Sequence, residues 1–395
     1  NFESEKTQSL VPFKDEFLHL RTTEKCPLEF TELELKQNYG MDFKVQKAEI
    51  DLWLGVTQFQ NNSPIKGAYN LRKAWKQYEA LLNELKQNED KLKSGAPDGI
   101  LYHCDIIEAI LSGVGIFYYL LSVLPPAVAK LLEFIGFSVN RELGVEYLEY
   151  VASRRGFRST NAFLMLVINY LLIPSALENK HDSLDKIKAH MGYATEMFPK
   201  GGMILFAAAQ YSRKMGDYQT GIQHLRDAIA NTKSTEKFQP NNYYFELGMS
   251  YSSLRDYQNA ATTFEAILNH PDKFEFKSAA GVALWVCYMR LDQKDKAVAL
   301  MKTIPKLADH KARGDKYVQD KLQLLKQVKT EDEKEVLMNL AIFDLMYLKR
   351  DLAHLKATDI EPLLADLEQY EAKAAQIKVP DVHCAMFTIK GAMYR

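Results

Sequence analysis

The 395-residue chain has an apolar fraction of 47% and a charged fraction of 26%, values typical of a folded protein rather than a disordered one. Its 50 Lys and Arg residues nearly balance its 51 Asp and Glu residues, so the formal net charge is -1. Because no basic excess attracts polyanions, we expect no nucleic-acid partner.

The first 44 residues mix prolines, Gly40 and scattered charges without a sustained hydrophobic period. This pattern predicts an irregular lead-in over residues 1–44, with short helices at most. Beyond it, apolar residues recur every three or four positions, which is typical of α-helices. Helices are predicted over residues 45–57 and 66–85, and the charged continuation of the second ends at the Ser-Gly-Ala-Pro stretch 94–97. They open a predicted N-terminal helical region over residues 45–200.

Two runs in this region, 109–129 and 159–177, contain no charged residue. Each approaches the roughly 20 residues that a membrane-spanning helix needs. Pro125 and Pro126 split the first run, which predicts one helix ending near residue 124 and a second over residues 126–135. A solvent-shielded helix inside a helical repeat protein has the same composition. We therefore interpret both runs as buried core, with a membrane-attached or membrane-embedded component as the alternative.

The clearest motif in the sequence lies between residues 241 and 271. Its characteristic positions are Tyr244, Leu247, Gly248, Tyr251, Asp256, Tyr257, Ala260, Phe264 and Pro271. Their order reproduces the tetratricopeptide pattern W-x2-L-G-x2-Y, A-x3-F and P, with Tyr in place of Trp. An equivalent unit precedes it, with the turn Gly216-Asp217-Tyr218, and a weaker unit begins near residue 280. The sequence thus predicts tetratricopeptide repeats over residues 201–310, within an all-α solenoid that has a hydrophobic central helical region.

The remaining residues, 311–395, are rich in charge and predict irregular helical repeats. Asp359 and Pro362 are expected to interrupt the helical pattern. The last predicted helix, 382–394, resembles the first half of a further repeat, so we expect a truncated C-terminus.

Three short runs between residues 113 and 144 are more specific than the repeats. They are Gly113-Val114-Gly115, Leu124-Pro125-Pro126 and Asn140-Arg141-Glu142. Together with the apolar run after Arg158, they resemble the tetratricopeptide-repeat 39 family, which is related to the mitochondrial outer-membrane inclusion-clearance proteins of fungi. The resemblance implies a helical scaffold or adaptor without known catalytic activity. It also implies that some relatives lie at mitochondria or are linked to lipid homeostasis. Because the four widely spaced cysteines are interpreted as reduced thiols, we expect a cytoplasmic location, including the cytosolic face of the mitochondrial outer membrane.

The polar residues favour structural roles over chemistry. The four cysteines are far apart, and adjacent residues such as His103-Cys104 and His383-Cys384 diverge by about 100° on a helix, so we expect no metal site. Nucleotide-binding, metalloprotease and hydrolase motifs are absent from the sequence, so we expect no enzyme and no cofactor.

Three short motifs in or near the apolar runs each have a structural and a functional interpretation. Asn140 or Ser138 is expected to cap the helix that begins at Arg141, in preference to a polar binding site. The Gly113-Val114-Gly115 run is interpreted as a close helix contact rather than a phosphate-binding loop. Arg154, Arg155 and Arg158 are interpreted as a solvated face, with lipid phosphates or an acidic partner as the alternative.

Tetratricopeptide repeats bind peptides along the first helix of each pair, so candidate groove positions follow from the repeat register. We expect other proteins as partners, with membrane-surface contact as a further expectation, and the sequence leaves the oligomeric state open. The chaperone-binding arrangement of Lys and Asn residues is not reproduced. The candidate groove residues are Phe206, Gln210, Arg213, Asn242, Phe245, Met249, Ser252 and Tyr288.

Overall fold

In a computed structural model of the protein, the described residues are 30–61, 63–123, 137, 140–172, 180–235, 238–308 and 313–394. The chain divides into two units, Asn1–His190 and Met191–Arg395. Within the described residues all regular elements are helical, and the only β-type pairing is an isolated bridge between Thr235 and Phe238. The predicted all-α class is confirmed.

The N-terminal unit is built from long helices. Their bounds are α1 (Glu32–Gln60), α2 (Pro64–Lys93), α3 (Cys104–Ser122), α4 (Arg141–Arg154) and α5 (Ser159–Val167), which continues as a π-helical turn (Ile168–Leu172). Helix α6 (Lys180–Met197) contains the division between the units.

Helix α1 begins well before the predicted end of the lead-in at residue 44, so residues 32–44 are helical rather than irregular. The Oγ1 of Thr31 accepts a hydrogen bond from the Glu34 amide at 3.2 Å, and the Glu34 carboxylate accepts one from the Thr31 amide at 2.9 Å. This reciprocal pair satisfies the first free amides of the helix. Met41, Val45 and Ala48 then provide a buried face that α2 covers. Gly40, which suggested irregular backbone, lies inside the helix.

Helix α3 is the core of the N-terminal unit, with α1, α2, α4 and α5 packed around it. A Cβ atom added to Gly113 would lie 2.1 Å from the Tyr78 ring, and one added to Gly115 would lie 3.1 Å from the Gly144 carbonyl oxygen. The two glycines therefore permit close helix packing, as the sequence indicated. The helix ends at Ser122, near the predicted residue 124. The predicted second helix, 126–135, lies outside the described residues.

The C-terminal unit starts with three helix pairs. These are α7 (Gly202–Lys214) with α8 (Tyr218–Asn231), α9 (Asn241–Ser253) with α10 (Tyr257–Asn269), and α11 (Lys277–Arg290) with α12 (Lys294–Met301). Asp217 and Asp256 cap the second helix of their pairs, accepting hydrogen bonds from the amides of Thr220 (3.1 Å) and Asn259 (3.2 Å). The two Asp-Tyr turns therefore occupy equivalent positions, as the repeat pattern predicted.

Small residues set the spacing inside the pair α9–α10. A Cβ atom added to Gly248 would lie 2.6 Å from the ring of Phe264 on α10, and Ala260 is fully buried. The tetratricopeptide motif is thus a packing device, in which a glycine leaves room for an aromatic ring of the opposite helix.

Five further helices follow the repeats. They are α13 (Ile304–Leu307), α14 (Arg313–Gln327), α15 (Glu331–Leu348), α16 (Ala357–Ala374) and α17 (Pro380–Met393), with a 3₁₀ turn (Asp351–Ala353) after α15. The expected interruption at Asp359 and Pro362 is not found, because both residues lie in α16. Pro362 lies early in that helix, where it removes a single backbone hydrogen bond. The helical pattern breaks earlier, at the left-handed residue Arg350 (φ 60°).

Candidate functional site

The predicted groove residues lie on the first helices of the three pairs, α7, α9 and α11. Five of them are buried in the C-terminal unit, two are half-buried and one is exposed. The buried residues are Arg213, Phe245, Met249, Ser252 and Tyr288. Phe206 and Gln210 are half-buried, and Asn242 is exposed. They do not share one open face, because the Tyr288 hydroxyl donates to the Glu265 carboxylate on α10 at 2.7 Å and most of the others are closed to solvent.

Helix α15 covers the side of the repeats that α9 and α11 present to it, which we call the inner face. It contacts α9 and α11, and α14, α16 and α17 pack on its other sides. Its buried residues cover its whole circumference, from Val336 through Met346 with only Asp344 half-buried. Phe343 and Met249 are both fully buried. In an open repeat array, a partner peptide would lie against these first helices. Here α15 lies against α9 and α11 instead.

A buried charge cluster joins the repeats to the end of α15. The guanidinium of Arg213 on α7 binds the carboxylates of Glu246 on α9 and Asp351 in the 3₁₀ turn, the latter at 2.5 Å. Lys349 also forms an ion pair with Glu246. Burial raises the pKa of Glu246, but Lys349 and Arg213 outweigh it and bring that pKa to about 2. For Asp351, burial prevails over Arg213 and its pKa is raised.

A second ionic contact joins the repeats to α16. Arg255, in the turn between α9 and α10, donates two hydrogen bonds of 3.0 Å to the Asp366 carboxylate, which is buried. The hydroxyl of Tyr257 donates to the same carboxylate at 3.4 Å, and Arg290 on α11 lies 3.8 Å from it. Residues from two repeats thus bind one carboxylate of the C-terminal helices.

Contacts between α14, α15 and α11 complete this arrangement. Lys321 on α14 pairs with Asp344 on α15, and the Tyr317 hydroxyl donates to the Ala341 carbonyl at 3.0 Å. Burial raises the pKa of Asp344, with Lys321 acting in the opposite direction. On α11, Ser278 donates to the buried carboxylate of Asp315. These three polar contacts join α14 to α15 and to α11.

The sequence does not identify α15 as the segment that covers the repeats. The sequence did contain a signal, because nine of the eleven residues from Val336 to Met346 are apolar, which is typical of a buried helix. A capping box between Thr330 and Glu333 also marks where it begins. Neither signal identifies which surface such a helix packs against.

The polar groups of the N-terminal unit have structural roles. Asn140 caps α4 by accepting a hydrogen bond from the Leu143 amide at 3.1 Å, which confirms the predicted cap. Arg158 pairs with Glu49 at 2.7 Å, and Arg154 lies 3.5 Å from the buried Glu108. These two arginines were expected on a solvated face. They are instead partly buried, because each compensates a carboxylate of a neighbouring helix.

The two His-Cys pairs are also structural. The Nδ1 of His103 accepts a hydrogen bond from the Asp105 amide at the start of α3, and the Nε2 of His383 lies 2.7 Å from the Ile377 carbonyl oxygen. Among the described residues no group of three or more His, Cys, Asp or Glu side chains is placed to hold a metal ion.

Paired helices with Asp-capped turns and glycine-mediated packing define a tetratricopeptide-type repeat protein. The model of the Iml2/Tetratricopeptide repeat protein 39 family matches residues 18–395, and the chain belongs to that family. It is 29% identical over 208 residues to tetratricopeptide repeat protein ttc-39B of Caenorhabditis elegans, a match that covers 50% of this chain and 33% of the relative. The chain therefore matches about a third of that relative's length. No solved structure matches the chain.

Proposed function

We propose that the protein is a non-enzymatic protein-interaction scaffold that binds a partner segment at the end of its C-terminal unit. The observation that supports this is a half-open cavity of about 370 Å³ between the end of α15, the 3₁₀ turn and α17. Its lining residues are Tyr347, Arg350, Leu352, Ala353, Phe387, Thr388, Gly391 and Ala392. Since α15 fills the inner face of the repeats, this cavity is the better candidate for a partner.

The chemistry of the cavity indicates what kind of segment it would bind. Its walls are mostly apolar, and the side chains of Phe387 and Tyr347 are 69% and 42% exposed. Arg350 is exposed and supplies a positive charge at the same place. A partner segment with a bulky apolar residue next to an acidic residue would complement both features.

Affinity capture of the intact protein tests this proposal. Phe387→Glu and Arg350→Gln should each deplete the same set of co-purifying proteins, because one removes the apolar wall and the other the charge. Val298→Glu on α12 is the matched control, since Val298 is 58% exposed and lies away from the cavity. Recovery of an unchanged set of partners with both cavity variants would overturn the proposal.

The proposed location is the cytosol, including the cytosolic face of the mitochondrial outer membrane, with a role in lipid homeostasis. The support is the family membership and the resemblance of residues 113–144 to the inclusion-clearance proteins of fungi. Fractionation of cells that express the untagged protein tests the location. Absence from both the cytosolic and the mitochondrial fractions would contradict it.

The alternative of a membrane-embedded component rests on α3, which is long and apolar enough to cross a membrane. In its most apolar stretch 72% of the residues are buried by the protein itself, and Glu108 lies within the helix. We therefore propose that α3 is a core helix. Carbonate extraction should release the protein into the supernatant, whereas retention in the membrane pellet would favour the alternative.

A further inference from the structure

Helix α1 has two apolar faces, and α2 covers only one of them. Met41, Val45, Ala48 and Leu52 form the buried face. On the opposite face, Tyr39, Phe43, Ile50 and Trp53 are between 56% and 74% exposed among the described residues. We name this second set, with Gln46 and Thr57 in the same row, the outer seam. Exposed aromatic residues aligned along one helix mark an interaction surface rather than isolated surface residues.

The spacing of the outer seam indicates the type of partner. Its positions 39, 43, 46, 50, 53 and 57 alternate steps of four and three residues. This is the heptad spacing that places a and d residues toward another helix in a coiled coil, and it extends for about 27 Å along α1. A flat surface would accept a wider and less regular stripe. The outer seam is therefore built to pack against an α-helix.

The residues beside the outer seam favour a second copy of the same helix. With Phe43 and Ile50 at a positions, Asp42 is a g residue and Lys47 is the e residue five positions later. In a parallel, in-register pair of helices, g and e residues five positions apart lie across the interface. Asp42 of each chain would then meet Lys47 of the other. The natural sequence therefore provides two ion pairs across the interface.

Two more residues of α1 fit this arrangement. Gly40 lies inside the helix, where glycine is less favourable than alanine, yet a Cβ atom added to it would meet nothing within 4 Å. In the parallel pair, Gly40 would lie opposite Leu35 of the second copy and leave room for it. Gln46 is the single amide in the seam, and a polar residue at one a or d position commonly fixes the register.

We propose that the protein forms a homodimer through a parallel, in-register pairing of the outer seams of two α1 helices. In the single chain, the Gln46 amide donates a hydrogen bond to the Asp42 carboxylate at 2.6 Å. In the dimer, Asp42 is available to Lys47 of the second copy and the two Gln46 side chains face each other. This inference is independent of the cavity at the other end of the chain.

Sedimentation analysis of the intact chain over a wide concentration range tests the proposal. The wild-type chain should be a dimer, and Phe43→Glu should raise the dimer dissociation constant by at least about a hundredfold, because it places two carboxylates inside the seam. Val298→Glu on α12 is the control, since Val298 is 58% exposed and lies outside both the outer seam and the cavity. A wild-type chain that stays monomeric would overturn the proposal, as would a dimer unaffected by Phe43→Glu.

Charge exchange tests the parallel register. Asp42→Lys alone and Lys47→Asp alone should each weaken the dimer, because both create two like-charge contacts. A mixture of the two variants should restore dimers, since each charge then meets its opposite on the other chain. Dimers that do not re-form in the mixture would overturn the parallel, in-register arrangement.

Discussion

The inner face of α9 and α11 and the outer seam of α1 are both apolar helix surfaces, but they differ in what covers them. The inner face is closed by α15 and by two ionic contacts that join it to the C-terminal helices. The outer seam has its aromatic side chains exposed among the described residues. The inner face therefore stabilises the fold, whereas the outer seam is accessible for association. Repeat pattern alone does not distinguish them.

The largest effect should come from removing a large side chain from the core around α15. Phe343 on α15 is fully buried, and Phe343→Ala should lower the free energy of unfolding by about 3–5 kcal/mol because it leaves a cavity in the core. Denaturant titration followed by circular dichroism measures this change. A loss below 1 kcal/mol, roughly that of a surface substitution, would show that α15 is not packed against the repeats.

Removing the cation of the buried charge cluster should have the next largest effect. Arg213→Ala leaves Asp351 buried without its guanidinium partner, while Glu246 keeps Lys349. Because one ion pair remains, the expected loss of unfolding free energy is about 3 kcal/mol, at the lower end for breaking a buried pair. The same titration measures it, with Arg226→Ala as a control at an exposed arginine. Equal stability of the two variants would contradict a buried cluster.

The stability that Glu246 contributes should depend on pH. Its folded-state pKa is about 2, below the ordinary value of 4.5, so its contribution is fully present above pH 4.5 and is lost as the pH falls toward 2. Between pH 5 and 3 the wild-type chain should therefore lose about 2 kcal/mol of stability relative to Glu246→Gln. Unfolding titrations of both proteins at each pH measure this difference. A difference that is constant with pH would show that Glu246 is not held ionised by its neighbours.

The smallest effect should come from the outer seam. Phe43→Ala removes the same ring as Phe343→Ala, but from a side chain that is 71% exposed. The free energy of unfolding should change by less than about 0.5 kcal/mol. The titration is performed at a protein concentration low enough to keep the chain monomeric, so that any contribution from association is absent. A loss comparable to that of Phe343→Ala would mean that another part of the fold covers the seam.

The parts of the fold that the sequence predicted well depend on local signals. The Asp217 and Asp256 caps, the Asn140 cap and the glycine contact of Gly248 are each determined by residues within one helix pair. The start of α1 was missed because Gly40 suggested irregular backbone. The Thr31–Glu34 capping pair that begins the helix lies 11 to 14 residues before residue 45, the first predicted helical position.

The state of the inner face could not be predicted for a different reason. Arg213 and Asp351 are 138 residues apart, and Arg255 and Asp366 are 111 residues apart. Contacts of that separation leave no periodic trace in a single sequence. Repeat register placed the predicted groove positions on the first helices α7, α9 and α11, but α15 was recognisable only as a buried helix.

Hydrogen exchange of residues 331–348 in the intact protein tests most directly whether α15 fills the inner face. If it does, the amides of α15 should exchange as slowly as those of α9 and α11, because all three helices lie in one core and open only with it. Exchange of α15 much faster than that of α9 and α11, at the rate of a helix that detaches on its own, would contradict the account and return the inner face to the role of an open groove.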